Sequence, residues 1–367
     1  MGIDSPTMPT LFDSLKVGDL NVPNRVWMAP LTRCRAGNPG RVPTVLMAEY
    51  YAQRASAGMI LSEATSVDEM GVGYPNTPGI WSDEQVWGWK LVTDAVRKAG
   101  GRMFLQLWHV GRISDPGYLG GQLPVAPSAI AAQGNVSLMR PPKAFVTPRA
   151  LERSEIPGVI AAYRRGARNA KLAGFDGVEI HGANGYLLDQ FLQDSTNKRT
   201  DEYGGPIENR ARLMLEVTDA CIDVWGAGRV GMHLAPRADS HSMGDSDRAG
   251  TFSYVARELG ERQIAFICAR ESVGPDRLGP RLKAAFGGVY VANESMTRAS
   301  AESLVESGEA DAVAFGKAFI ANPDLPRRLN ANAPLNPARP ELFFGSGAEG
   351  YTDYPALAEA RQSAAGV

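Results

Sequence analysis

Short apolar runs of five to seven residues recur along the chain, with longer amphipathic stretches between them. Runs at 26–31, 59–65, 103–109 and 176–181 have the length and the Val, Ile and Leu content of buried strands. So do runs at 229–235, 263–269, 288–293 and 311–315. The intervening stretches at 44–57, 83–99, 154–173, 207–225, 251–261, 277–286 and 297–308 read as helices. Asp83 and Glu84 suit the positive end of a helix dipole, and Ser154 is a candidate N-cap with Pro157 tolerated in the first turn. Glycines close most helices before the next strand, at Gly58, Gly100-Gly101, Gly174, Gly287-Gly288 and Gly308. Strands that alternate with helices pair in parallel, and eight of them suggest a closed (β/α)8 TIM barrel of the α/β class.

Two segments break the alternation. Residues 11–25 read as an N-terminal hairpin before the first barrel strand, a plug for the barrel floor. Residues 110–153 follow strand 3 and are rich in Gly, Pro and Ser. A long insertion of that kind is uncommon without a role, and at the C-terminal face it would form a lid or cavity wall. The expected organisation is a single domain over 1–367, with tails at 1–10 and 358–367.

Composition narrows the function classes. A net charge of −2 and a pI near 6.2 argue against a nucleic-acid or anionic-membrane surface. No apolar run approaches the ~20 residues of a spanning helix, and Met1-Gly-Ile-Asp-Ser-Pro6 lacks the basic and apolar regions of a signal peptide. Cys34, Cys221 and Cys268 stand far apart without a CxxC pair, so no zinc knuckle, iron–sulfur cluster or disulfide scaffold is indicated. A reducing, cytoplasmic location fits best.

In a barrel, chemistry gathers where strands end, and inward side chains alternate along each strand. By that parity Gln106 and Trp108 share a face in strand 3 while His109 takes the other. Glu179 and His181 share one in strand 4, and Gly231, His233 and Ala235 share one in strand 5. His181 and His233 then point into the same central space. The richest stretch is His181-Gly-Ala-Asn184-Gly-Tyr186. Its glycines permit a sharp turn that gathers an imidazole, an amide and a phenol. The imidazole and amide could hold a carbonyl or nitro oxygen as charge develops there, and the phenol could protonate a carbanion. The plainer alternative is a satisfied core histidine and a helix-start aromatic. At the other side of the barrel, Ala292-Asn293 and Gly316-Lys317 follow strands 7 and 8, where barrels commonly bind phosphate. Gly345-Ser-Gly-Ala-Glu-Gly350 fits GxGxxG, but it runs into Tyr-Thr-Asp-Tyr-Pro rather than a helix, so it implies no dinucleotide domain.

Several motifs occur in one order over nearly the whole length. They include Ala29-Pro-Leu-Thr-Arg33, Ser62-Glu-Ala-Thr65 and Leu105-Gln-Leu-Trp-His-Val-Gly-Arg112. The His181–Tyr186 group follows, then Asn197-Lys-Arg-Thr-Asp-Glu-Tyr-Gly-Gly205, Ala314-Phe-Gly316 and Gly350-Tyr-Thr-Asp-Tyr354. In this set the chain resembles the Old Yellow Enzyme family of FMN-dependent ene-reductases, the branch that also reduces nitrate esters and nitro compounds. The resemblance implies FMN as cofactor and NAD(P)H as hydride donor to an electron-poor alkene. It implies that Ala29, Pro30, Leu31 and Thr32 line the flavin, with Ala64 against the ring and Gln106 on the pyrimidine edge. His181 and Asn184 would bind the acceptor's oxygen, and Tyr186 would protonate its α-carbon. Tyr74, Trp108 and Tyr351 would line the substrate space, and Phe343 the dimethylbenzene edge. Ala292, Asn293, Gly316 and Lys317 would meet the phosphate.

Two departures stand out. His233 stands where the family usually has an arginine beside flavin N1 and O2, and histidine changes charge near neutrality. Lys317 replaces a phosphate-binding arginine, a point charge in place of a fork. Two other readings stay open at this level. A metal-dependent barrel hydrolase would use the histidines ending strands 3, 4 and 5, although parity turns His109 away and no HxH pair exists. A flavin-binding barrel without turnover is the other, and Tyr186 argues against it. The oligomeric state is open as well.

Overall fold

The computed structural model describes residues 8–238 and 240–357, so the tail at 358–367 and most of 1–10 lie outside the described residues. Eight parallel strands close into a barrel: β1 Val26–Met28, β2 Ile60–Leu61, β3 Met103–Trp108, β4 Gly177–Gly182, β5 Val230–Leu234, β6 Phe266–Arg270, β7 Val289–Asn293 and β8 Ala312–Phe315. Closure is direct, because Val313 of β8 pairs with Val26 of β1, and Met28 of β1 with Ile60 of β2. Around it lie α1 Val45–Gln53, α2 Asp83–Lys98, α3 Ile156–Leu172, α4 Leu187–Leu192, α5 Ile207–Trp225, α6 Arg248–Glu261, α7 Gly279–Phe286, α8 Arg298–Glu306, α9 Lys317–Ala321 and α10 Leu325–Asn330. None of the described helices is long and apolar enough to cross a membrane.

The expected elements form with shifted ends. Ser82 caps α2 through a capping box with Gln85, ahead of the acidic Asp83 and Glu84. Ser154 is not an N-cap: it sits inside a 3-10 turn at Arg153–Glu155, opened by a box in which Glu155 accepts from the Glu152 N–H, and α3 follows directly from that turn. Helix α1 stops at Gln53, well before the expected residue 57, because Arg54 turns back to its own carbonyls and to the α9 backbone. Three short helices, α4, α9 and α10, escaped the pattern because each is too short to show a period.

Hairpin strands Leu15–Val17 and Leu20–Val22 pair antiparallel, as the pattern at 11–25 implied. Val17 and Val22 pack with Trp27, Phe104 and Phe266, so the hairpin stoppers the barrel floor. Trp27 meets Phe266 edge-on at 5.2 Å. These rings need glycine opposite them: a Cβ on Gly231 would lie 2.2 Å from Phe266, and one on Gly177 2.4 Å from Phe104.

The insertion is not structureless. It holds a parallel pair, Val125–Ala126 with Arg149–Ala150, and a 3-10 turn at Pro116–Tyr118. Its Ala132, Val136 and Phe145 form a cluster with Tyr74 and Trp108, against which Tyr186 packs. It therefore buttresses the wall from behind and contributes no residue to the lining of the cavity described below.

Candidate active site

A cavity of about 450 Å³ opens at the C-terminal ends of the strands. The pairing register explains who reaches it. Gln106 pairs with Glu179, His181 with His233, His233 with Cys268, and Arg270 with Asn293. Side chains of paired residues in parallel strands point the same way, so these form inward layers. Cys268 and Glu179 lie below, and His181, Arg270 and Asn293 reach the rim. His109 falls on the other face, with Nδ1 accepting from the Gly111 N–H at 3.1 Å, and burial pushes it down to about 4. The three strand-end histidines therefore do not converge. A different trio, Glu179, His233 and Cys268, has ligand-type atoms within 4.8 Å of one another beneath the cavity. Both Glu179 oxygens are already engaged: Oε2 accepts from Gln106 Nε2 at 2.8 Å, and Oε1 faces His233 Nδ1 at 3.1 Å. His233 thus turns its other nitrogen towards the cavity.

One wall is the loop after β1, with Ala29, Pro30, Leu31 and Thr32, backed by Ala64 and by Phe343. At the far side Asn293, Gly316 and the exposed Lys317 line the edge, where α9 begins. Asn293 itself donates to the Ala314 carbonyl at 2.8 Å, which locks its amide between β7 and β8.

The third wall is His181 to Tyr186. Asn184 and Gly185 both have positive φ, +58° and +77°, and a Cβ on Gly185 would strike Met243 and the Ser240 carbonyl. Asp189 accepts from the Gly185 N–H at 2.8 Å, and Gln190 donates to the Gly185 carbonyl at 2.7 Å, so α4 ties the turn down. Across it, His241 Nδ1 faces the Asn184 carbonyl at 2.7 Å. The loop at Ser240–Met243 therefore braces this turn. His181 Nδ1 is buried with no partner among the described residues. Burial, then His233, Arg270 and His241, holds the imidazole well below its ordinary value. It is a neutral hydrogen-bond donor. Tyr186 is half-buried against Trp108 and His181, both 5.0 Å away between ring centroids, and its surroundings push its phenol well above the ordinary value. It keeps its proton until something strongly basic draws it.

Three of the expected residues lie off the cavity. Tyr351 does not line the cavity; it stacks on Tyr50 at 4.0 Å beneath the guanidinium groups of Arg33 and Arg35. There it helps hold the C-terminal segment, whose Gly350 carbonyl accepts from Arg33. Ala292 faces the helix layer, because inward parity in β7 belongs to Val291 and Asn293. Tyr74 stands one shell back, with its hydroxyl 2.8 Å from that of Tyr186.

Sequence reasoning missed Arg270, whose Nη1 donates to Asn184 Oδ1 at 2.9 Å and whose Nε pairs with Glu294. It also missed Glu294, Ser295 and Met296 on the rim. Extending the alternation from Cys268 by one step would have turned Arg270 inward; the expected strand ended at 269. An apolar wall, an amide edge and a distant cation together suit a planar heterocycle carrying a phosphate, and the unpartnered His181 nitrogen awaits a polar ligand atom.

Known proteins point the same way. Residues 10–336 match the model of the NADH:flavin oxidoreductase / NADH oxidase family. A probable flavin mononucleotide-dependent alkene reductase of Leishmania infantum is 42% identical over 364 residues, covering 97% of this chain and 100% of that one. The Old Yellow Enzyme homologue from Zymomonas mobilis superposes with a TM-score of 0.92 at 46% identity, over 95% of this chain and 100% of that one. Morphinone reductase in complex with tetrahydroNAD matches with a TM-score of 0.92 at 47% identity, over 95% and 98% of the two chains. A barrel, a cavity and a residue set of this kind, matched across nearly its whole length, place the chain in the NADH:flavin oxidoreductase family, among the FMN-dependent Old Yellow Enzymes.

Proposed function

We propose that this single-domain protein reduces the activated double bond of an α,β-unsaturated carbonyl or nitroalkene at the expense of NAD(P)H, and that nitrate esters and nitro compounds are further acceptors. FMN, when bound, supplies hydride transfer between nicotinamide and acceptor. The apolar side chains of Ala29, Leu31, Ala64 and Phe343 would hold its ring system, with Gln106 and His233 at its polar edge and Asn293, Gly316 and Lys317 near its phosphate. His181 and Asn184 bind the acceptor's oxygen through N–H donors, and so stabilise the negative charge that builds there as the β-carbon accepts hydride. Because His181 is neutral, it polarises without giving up a proton of its own. Tyr186 gives its phenolic proton to the α-carbon. Trp108 shapes the space beside them. Three free, buried cysteines support a cytoplasmic location.

The observation that carries this reading is the convergence of His181, Asn184 and Tyr186 on one cavity wall, with His181 Nδ1 unpartnered among the described residues. Stopped-flow kinetics on the FMN-loaded enzyme test it. Tyr186→Phe is expected to slow flavin reoxidation by 2-cyclohexenone by roughly 10²- to 10⁴-fold, while ferricyanide, which needs no carbon protonation, reoxidises both proteins alike. Equal enone rates in the two proteins would remove Tyr186 from its role.

A further inference from the structure

Gln106 and His233 line the cavity, and one carboxylate holds both from below. Glu179 on β4 is fully buried, and its one ion-pair partner among the described residues is His233. A carboxylate buried without a compensating charge is costly. The pair therefore stays neutral as a unit, with one proton lying between Glu179 Oε1 and His233 Nδ1, 3.1 Å apart. That proton has two positions. On Nδ1 it makes an imidazolium beside a carboxylate; on Oε1 it makes a neutral acid beside a neutral imidazole. In both, His233 Nε2 carries an N–H towards the cavity, since a neutral ring with a bare Nδ1 has its proton on Nε2. Glu179 Oε2 meanwhile accepts from Gln106 Nε2 at 2.8 Å, which leaves the Gln106 carbonyl for the cavity. This edge of the cavity thus shows a donor beside an acceptor. That is the complement of an imide edge, where a carbonyl oxygen stands next to an N–H.

We propose that Glu179 and His233 act as one proton-sharing dyad that supplies, at the flavin's pyrimidine edge, the positive charge that an arginine usually gives in the family. The proposal rests on Gln106 and His233 facing that edge. As negative charge grows there on reduction of FMN, the shared proton shifts from Glu179 Oε1 to His233 Nδ1. The Glu179 O–H bond breaks with its electron pair left on oxygen, an N–H bond forms, and the ring meets the ligand as an imidazolium. No proton enters from solvent, and nothing in the dyad is oxidised or reduced. Gln106 keeps its orientation throughout, because Glu179 Oε2 accepts its N–H in either state. The neighbours leave the shared proton alone. His181, whose ring lies 5.8 Å from that of His233, is held neutral. Cys268, paired with His233 in the sheet, is a thiol that burial pushes well above its ordinary value. Glu179 is thus a positioning residue: it touches no ligand, and it decides what two residues that do will offer.

Two measurements on the FMN-loaded protein test the dyad. The first is the nitrogen NMR spectrum of protein labelled with 15N-histidine, in which one of four rings belongs to His233 and is assigned by its loss in His233→Arg. Its Nε2 is expected to carry a proton; a bare Nε2 would overturn the dyad. The second is the two-electron midpoint potential of the bound flavin. Glu179→Gln keeps the shape of the side chain and an acceptor for Gln106, but it has no proton to lend. It is expected to weaken reduced FMN about tenfold relative to oxidised FMN, which lowers the potential by about 30 mV. His233→Arg in that background should restore the parent potential, because a guanidinium is a cation by itself. An unchanged potential in Glu179→Gln would overturn the proposal. So would a lowered potential that His233→Arg fails to restore, because that behaviour marks a merely structural loss. His233→Ala separates the two readings. If its potential and FMN affinity match the parent protein, the pyrimidine edge lies elsewhere; if it lowers the potential while Glu179→Gln does not, the dyad alone falls.

Discussion

Arg270 decides which end of the Asn184 amide meets the cavity. Its Nη1 donates to Asn184 Oδ1 at 2.9 Å, so the amide oxygen is taken and the N–H2 is left for a ligand oxygen. Glu294 holds the guanidinium from the other side. Without that pair the amide could present its oxygen to an acceptor oxygen, and the two would repel. Arg270→Ala should therefore weaken a phenolic ligand by about tenfold, near 1.4 kcal/mol, with FMN retained; titration of the flavin spectrum measures it, and unchanged affinity would sink the orienting role. His181, Asn184 and Tyr186 were legible because they share six consecutive residues at a strand end. The Arg270–Asn184 pairing was not, because the two lie 86 positions apart and no local pattern connects them. Tyr351 misled for the same reason, since only the fold shows that Tyr50 and two arginines claim its ring.

At the level of elements, the apolar runs located all eight strands, because parallel barrel strands are buried on both faces and need no alternation to be seen. Their ends were harder. Strand β6 slid forward to Phe266–Arg270, since α6 runs on to Glu261 and Gln263 takes a positive φ in the turn between them. The floor depends on two absences, the missing side chains of Gly177 and Gly231. Gly231→Ala would drive a methyl into Phe266, whose ring is already wedged against Trp27 and Phe104. A cost of about 1–3 kcal/mol is expected from such overpacking, read as a lower denaturation midpoint with unchanged m-value. An unshifted midpoint would mean that the floor can yield.

The whole molecule carries buried acids whose ionisation its stability must bear. Burial pushes Glu63 up to about 7 from an ordinary 4.5, and its Oε2 has no partner among the described residues. Asp189 rises likewise to about 7. A carboxyl raised on folding contributes stability that is full below its ordinary value and is lost as pH climbs through the folded value. For Glu63 the window is pH 4.5 to about 7, and the loss across it is about 3 kcal/mol. Glu63→Gln keeps an acceptor for the Tyr51 hydroxyl and has nothing to ionise. Relative to the parent protein it should gain stability between pH 5 and 8 in urea unfolding; parallel curves would refute the shift. The stoppered floor has a consequence of another kind. A vessel sealed at its base has one doorway, so nicotinamide and acceptor must come and go by the same threshold, each waiting on the other's departure. Whichever visitor is in great excess bars the way to its successor, and abundance of fuel becomes a brake.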